Sequence, residues 1–171
     1  MAAFRDDPET WSRLDFRLLQ AGPVALYLKR TVLEEDLSWL STNAYVIDRF
    51  DAAAWSSPAE ALARLAVQLD FPDYFGHNLD ALNDCMRDIA IPDEGGRCLV
   101  FDRFDAAAES FGDFTWNVLD IFANQSRQHM LVGRRLLVIL QSDDPQLSFK
   151  PIGCSSPSWN PREWMNKDRG L

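Results

Sequence analysis

The chain has 171 residues, 47% of them hydrophobic, with 11 Phe and 6 Trp, enough for one domain with a real core and unlike a disordered segment. Its net charge of −9, from 26 acidic and 17 basic side chains, argues against nonspecific binding to nucleic acid or anionic lipid and favours basic partners. No apolar run approaches the roughly 18 residues needed to span a bilayer, and the polar start Met1–Thr10 lacks the features of a secretory signal.

Residues 1–15 are polar and are expected to be loosely ordered. Phe16–Gln20 and Val24–Leu28 flank Gly22-Pro23 and predict two small strands joined by a turn. Thr31-Val-Leu-Glu34 has the spacing of a capping box, which predicts a helix to about Leu40, followed by a strand at Ala44–Ile47. Ser57-Pro58-Ala59-Glu60 is a second capping box with Pro at the first helical position; Leu62, Leu65, Ala66 and Leu69 continue it as an apolar stripe. Phe71-Pro72 closes that helix. Asn78 is a good N-cap for a helix from Leu79 to about Ile89.

Pro92–Gly96 reads as a loop and Cys98–Phe101 as a buried strand. A helix is expected from about Phe114 to Gln128, and Leu136–Leu140 is the clearest buried strand. Strands alternating with helices predict an α/β fold with parallel pairing and right-handed crossovers. The tail from Asp143 holds four of the nine prolines and reads as an irregular arm, with Trp159 and Trp164 as its anchors. Trp116 reads as helix packing. Cys85, Cys98 and Cys154 are odd in number and widely spaced, which suits free thiols in a reducing cytoplasm.

The segment Phe71–Cys85 carries the strongest signal. At about 100° per residue, Leu79, Leu82, Cys85, Met86 and Ile89 share one sector, while Asp80, Asp84 and Asp88 share another roughly 160° away. The aspartates form like-charge pairs four residues apart, each costing on the order of 0.2–0.5 kcal/mol, with Arg87 placed to offset part of this. A solvated helix face is the plain alternative to a functional one. Acid–base chemistry needs one carboxylate desolvated, which an exposed stripe does not supply. Magnesium sites need substrate phosphate, yet the chain has no GxxxxGK[ST], GxGxxG or GxSxG, and no Cys or His pair has zinc-ligand spacing. The residues therefore predict no enzyme, no cofactor and no metal. What remains is electrostatic recognition: fixed carboxylates imitating phosphates, flanked by Tyr74, Phe75 and Asn78 as aromatic and polar contacts. His77, in the same loop, reads as exposed.

The pattern Phe-Pro-x-Tyr-Phe-Gly-x-Asn-Leu-Asp-Ala-Leu-x-Asp-Cys over residues 71–85 resembles the barstar family, intracellular protein inhibitors of ribonucleases. Weaker similarity runs from about Ala44 to Gln141, and the Trp159–Trp164 tail resembles that of longer bacterial members. The resemblance implies a three-stranded parallel sheet flanked by helices over residues 44–141, with an N-terminal extension (residues 1–43) and a C-terminal arm (residues 142–171) packed as one structural domain. It implies a monomeric, cytoplasmic, immunity- or antitoxin-like inhibitor whose partner is a ribonuclease with a basic cleft. By position it implies Tyr74, Phe75, Gly76, Asn78, Leu79, Asp80 and Asp84 as the contact residues, with Asp84 entering the cleft. Asn83, Arg87, Asp88, Asn124 and Gln128 complete the expected face. Asn83 stands where the best-known member has tryptophan, and Asn124 and Gln128 where it has glutamates, so this chain keeps the first acidic cluster and neutralises the second. Asp88 and Asp120 are the candidates for compensating charge. These departures suit a ribonuclease other than barnase, or a binding module of the same fold acting on another partner.

Overall fold

The computed structural model describes residues 2–153, 155–163, 167 and 170; the expectations for Cys154 and Trp164 lie outside the described residues. The chain runs α1 (Pro8–Ser12), α2 (Leu14–Ala21), β1 (Val24–Tyr27), α3 (Arg30–Thr42), β2 (Tyr45–Asp51), a 3-10 turn (Ala52–Ala54), α4 (Pro58–Gln68), α5 (Leu79–Asp88), β3 (Gly96–Asp102), α6 (Phe104–Phe111), α7 (Asp113–Leu131), β4 (Leu136–Gln141) and β5 (Ser158–Trp159). The fold is α/β, and the strands form one sheet in the order β2-β3-β4-β1-β5, with every pairing parallel.

The expected sheet of three strands is thus corrected to five. β2, β3 and β4 are the three anticipated for that sheet, and β1 is the strand expected at Val24–Leu28, which joins the same sheet. β1 pairs with β4 through Val24↔Val138 to Tyr27↔Gln141, and β5 adds Ala25↔Ser158 and Leu26↔Trp159 on its other side. The arm expected to be irregular therefore contributes a short strand. Its anchor is polar as well as aromatic. Asp36, on α3, accepts hydrogen bonds from Tyr27 Oη (2.8 Å), Asn160 Nδ2 (2.9 Å) and Arg162 Nη1 (3.1 Å). Burial and the adjacent Asp36 carboxylate raise the pKa of Tyr27 and keep its phenol protonated as a donor.

Phe16–Gln20 is helix, not strand. Leu14, Leu18 and Leu19 fall on one helical face and are buried against α3, whereas Arg17 between them is exposed. A strand would have sent the adjacent Leu18 and Leu19 to opposite faces. Gly22, at φ 147°, ends the helix before β1. Residues 1–15, expected to be loose, contain α1 and the start of α2. The helix expected at Thr31 starts one residue earlier, with Lys29 as N-cap and no capping side chain of its own. Its entry is served from the arm, where the fully buried Glu163 carboxylate accepts from the backbone N–H of Leu28 (3.2 Å) and Lys29 (2.7 Å). The Ser57 cap forms as expected, with Ser57 Oγ accepting from Glu60 N at 3.1 Å. α6 was not anticipated; it is a short Ala-rich helix entered through Arg103 in the left-handed region at φ 52°.

Two apolar layers enclose the sheet. On one face α2 and α3 cover Tyr27, Tyr45, Cys98, Val100 and Ile139. On the other, α4 through α7 cover Leu26, Phe50, Leu99, Phe101, Val138 and Leu140. Gly95 and Gly96 let β3 begin tight against its neighbours: a Cβ on Gly95 would sit 2.1 Å from Ala44 O, and one on Gly96 2.5 Å from Arg135 O. β2 pairs only with β3 among the described strands, so it forms one edge of the sheet; β5 forms the other.

A buried carboxylate organises the base of the first layer. Asp15 is fully buried and accepts from Arg13 Nε (3.0 Å) and Nη2 (2.8 Å), Tyr45 Oη (2.9 Å), Arg135 Nη1 (3.3 Å) and Phe16 N (2.9 Å). Burial alone would raise its pKa, but the bonds from Arg13 and Tyr45 together hold it below the ordinary aspartate value. A depressed folded pKa contributes stability above the unfolded value and loses it as pH falls through the folded one. Asp15→Asn is therefore expected to cost roughly 2–3 kcal/mol near neutrality in urea unfolding. The gap between wild type and variant is expected to shrink as pH falls below about 4.

Candidate protein-binding face

The loop between α4 and α5 is built from turns and rings. Phe71 N bonds back to Ala66 O at 2.9 Å, and Phe75 N to Pro72 O at 2.9 Å, which folds residues 72–75 into a turn. That turn separates the two neighbouring aromatics. Tyr74 is 86% exposed, whereas Phe75 is 6% exposed and joins the core, its ring 5.1 Å from Phe71 and 4.9 Å from His77. Phe75 is thus the anchor of the loop rather than an outward contact. His77 is exposed and holds a positive φ of 48°.

Asn78 caps α5, with Oδ1 accepting from Ala81 N at 2.9 Å and Nδ2 donating to Gly76 O at 3.2 Å. Gly76 is packed closely against this cap; a Cβ there would lie 3.1 Å from Asn78 Nδ2. The Asn78 amide therefore shapes the loop before it meets any partner. Leu82 and Met86 are fully buried, Ile89 is buried, and Leu79 and Cys85 are partly buried. Sinking Leu82 and Met86 contributes about 1.5–3 kcal/mol each. With that face fixed, Asp80, Asp84 and Asp88 point outward and are all exposed. Arg87 Nη2 lies 3.0 Å from Asp84 Oδ1, an exposed pair that holds neither side chain tightly.

A cleft of about 480 Å³ opens between this helix and the preceding loop, lined by residues that include Phe71, Tyr74, Asp84, Cys85, Asp88 and Arg97. Burial and the charges of Asp84 and Asp88 raise the pKa of the Cys85 thiol, which disfavours a nucleophilic thiolate. Among the described residues there is no group of three or more His, Cys, Asp or Glu that could hold a metal ion. No helix among them is long and apolar enough to cross a membrane.

The neutral positions divide. Asn83 is half-buried and accepts from Gln125 Nε2 on α7, at 2.8 Å to its side chain and 3.3 Å to its backbone carbonyl, so it joins two helices. Asn124 and Gln128 are exposed, and Asn124 Nδ2 donates to Asp120 Oδ2 at 3.1 Å. Asp120 also accepts from Gly153 N at 2.7 Å, so both its oxygens bond within the fold. Spacing along the sequence did not single out Gln125, His129 or Arg97. All three bond α5 or its exit: Gln125 and His129 from α7, distant in the chain, and Arg97 from β3, the next strand, where it is held by Asp48 of β2.

The α/β scaffold thus presents an acidic helix face beside an exposed tyrosine. The chain belongs to the barstar family: the family described as Barstar (barnase inhibitor) matches residues 35–141. Members of that family are inhibitors rather than enzymes. The matched span holds β2, β3 and β4 and the whole acidic face, whereas β1 and β5 lie outside it. No curated protein matches the chain.

The cap and the exposed ring have separable consequences. Asn78→Ala is expected to lower stability by about 1 kcal/mol, read as a drop in the thermal midpoint. Tyr74→Ala is expected to change stability by no more than about 0.5 kcal/mol, because its side chain is exposed.

Proposed function

We propose that this protein inhibits a ribonuclease by filling its basic active-site cleft with the loop and helix of residues 74–88. The observation that carries the reading is the orientation of α5. Leu82 and Met86 lock one face into the core, so Asp80, Asp84 and Asp88 stand on a rigid outward face in a chain of the barnase-inhibitor family. Successive aspartates four residues apart rise about 6 Å along the axis, a line of negative charge suited to a groove that binds a phosphate backbone. Inhibition is by occlusion and charge complementarity, with no chemistry on the inhibitor's side. Long-range attraction speeds encounter, and the desolvated contacts set the dissociation rate.

Asp84 is the central contact, entering the cleft after exchanging its exposed pairing with Arg87 for a cationic group of the enzyme. Tyr74 supplies the aromatic rim, with Asp80 and Asp88 on either side along the helix. The neutral Asn124 and Gln128 match an enzyme with fewer cations opposite α7. Residues 44–141 carry the recognition and the flanks support the fold, as a monomer in the same cytoplasm as its target.

Titration against a panel of bacterial ribonucleases, with residual RNA cleavage as the signal, tests this directly. At least one enzyme is expected to be inhibited stoichiometrically. Asp84→Ala is expected to raise the dissociation constant by about 30-fold or more, a loss of roughly 2 kcal/mol, with its thermal midpoint nearly unchanged. Failure to inhibit any enzyme of the panel, or an Asp84→Ala variant as potent as wild type, defeats the proposal.

A further inference from the structure

The last turn of α5 is capped from outside. Ile89, at its C-cap, is extended at φ −56° and ψ 136°. Helix ends leave carbonyls that need donors. Here one comes from a side chain of another element, buried His129 Nε2 on α7, which donates to Met86 O at 2.9 Å; just past the helix end, Arg97 Nη1 on β3 donates to the exit residue Ala90 O at 2.9 Å. Arg97 is itself gripped by Asp48 on β2, through Nε to Oδ2 at 2.6 Å and Nη2 to Oδ1 at 3.1 Å. Both side chains are largely buried, at 12% and 6% exposure.

We infer that Arg97, oriented by Asp48, is a positioning residue for partner binding, which ties the end of α5 to the edge of the sheet and so fixes the direction of the acidic face. The inference rests on the proposed reading of that face. A buried ion pair is weak support for stability, since well-packed apolar residues often replace one without loss. The Asp48–Arg97 pair supplies what apolar residues cannot: a bidentate, planar grip that leaves Nη1 free to reach one carbonyl. Arg97 also lines the same cleft as Asp84, Asp88 and Tyr74, so slack at the helix exit moves the carboxylates a partner meets first. A face held in its bound geometry before encounter gives slower dissociation at an unchanged association rate.

The double variant Asp48→Leu/Arg97→Met removes the tie while keeping apolar volume. Its thermal midpoint is expected to stay within a few degrees of wild type. Amide hydrogen exchange in residues 85–90 is expected to rise about tenfold, while β3 and β4 stay protected. The binding probe is the ribonuclease of the panel that wild type inhibits most tightly, barnase being one of those tried, and dissociation of the variant is expected to be about tenfold faster with unchanged association. Arg97→Lys, which keeps the charge and loses the fork, serves if the double variant fails to fold, with an intermediate rise in exchange expected. Wild-type exchange at residues 85–90 in either folded variant overturns the inference, as does faster exchange with unaltered dissociation. If wild type binds neither barnase nor any other ribonuclease, the inhibitor reading falls, and with it the role in binding; a raised exchange would then establish the tie to the helix alone.

Discussion

The all-parallel ladder is the constraint from which the rest of the structure follows. Parallel neighbours cannot be joined by a tight turn, so each connection must cross a face of the sheet before the next strand begins. The β1–β2 crossover runs over one face as α3, and the β2–β3 and β3–β4 crossovers run over the other as α4 to α7. β3 and β4 are covered on both sides, and every residue of β4 is buried. Because α5 belongs to the β2–β3 crossover, its apolar face has only one place to go. The direction of the aspartates is a by-product of that burial, which is why so small an element can present charge so rigidly.

Local signals made part of this legible. β4 was evident as Leu136–Leu140, because five adjacent large aliphatics bury on both faces of a sheet. The helices α4 and α5 were evident because Ser57 and Asn78 cap them where side-chain chemistry demands. Non-local pairing was hidden. β1 and β5 meet through partners more than a hundred residues apart, and nothing in the Val24–Tyr27 run distinguishes pairing with Leu136–Gln141 from a hairpin. The run Phe16–Gln20 is short enough that period alone misassigned it, and only the burial of Leu18 beside Leu19 settles it as helix.

The same division holds at the acidic face. The wheel separated Leu79, Leu82 and Met86 from Asp80, Asp84 and Asp88, and the folded helix keeps that separation. Tyr74 and Phe75 could not be told apart, since adjacent aromatics in a loop carry no periodicity; the turn closed by Phe75 N and Pro72 O sends one out and one in. Asn83 was expected on the contact face, yet its carboxamide accepts from Gln125. Small polar residues on an exposed face need not face outward when a neighbouring helix offers a donor.

The two edges of the sheet end differently, and this bears on how the protein behaves in a crowded cell. β5 is only two residues long, and Asn160 beyond it turns into a buried cluster, so little ladder remains for another chain to extend. β2 is seven residues long but carries the exposed charges of Arg49 and Asp51 on one face. An incoming strand would have to lie against alternating fixed charges, which deters edge-to-edge growth of sheets. Among the described strands, both margins of the ladder are thus poor templates for another chain.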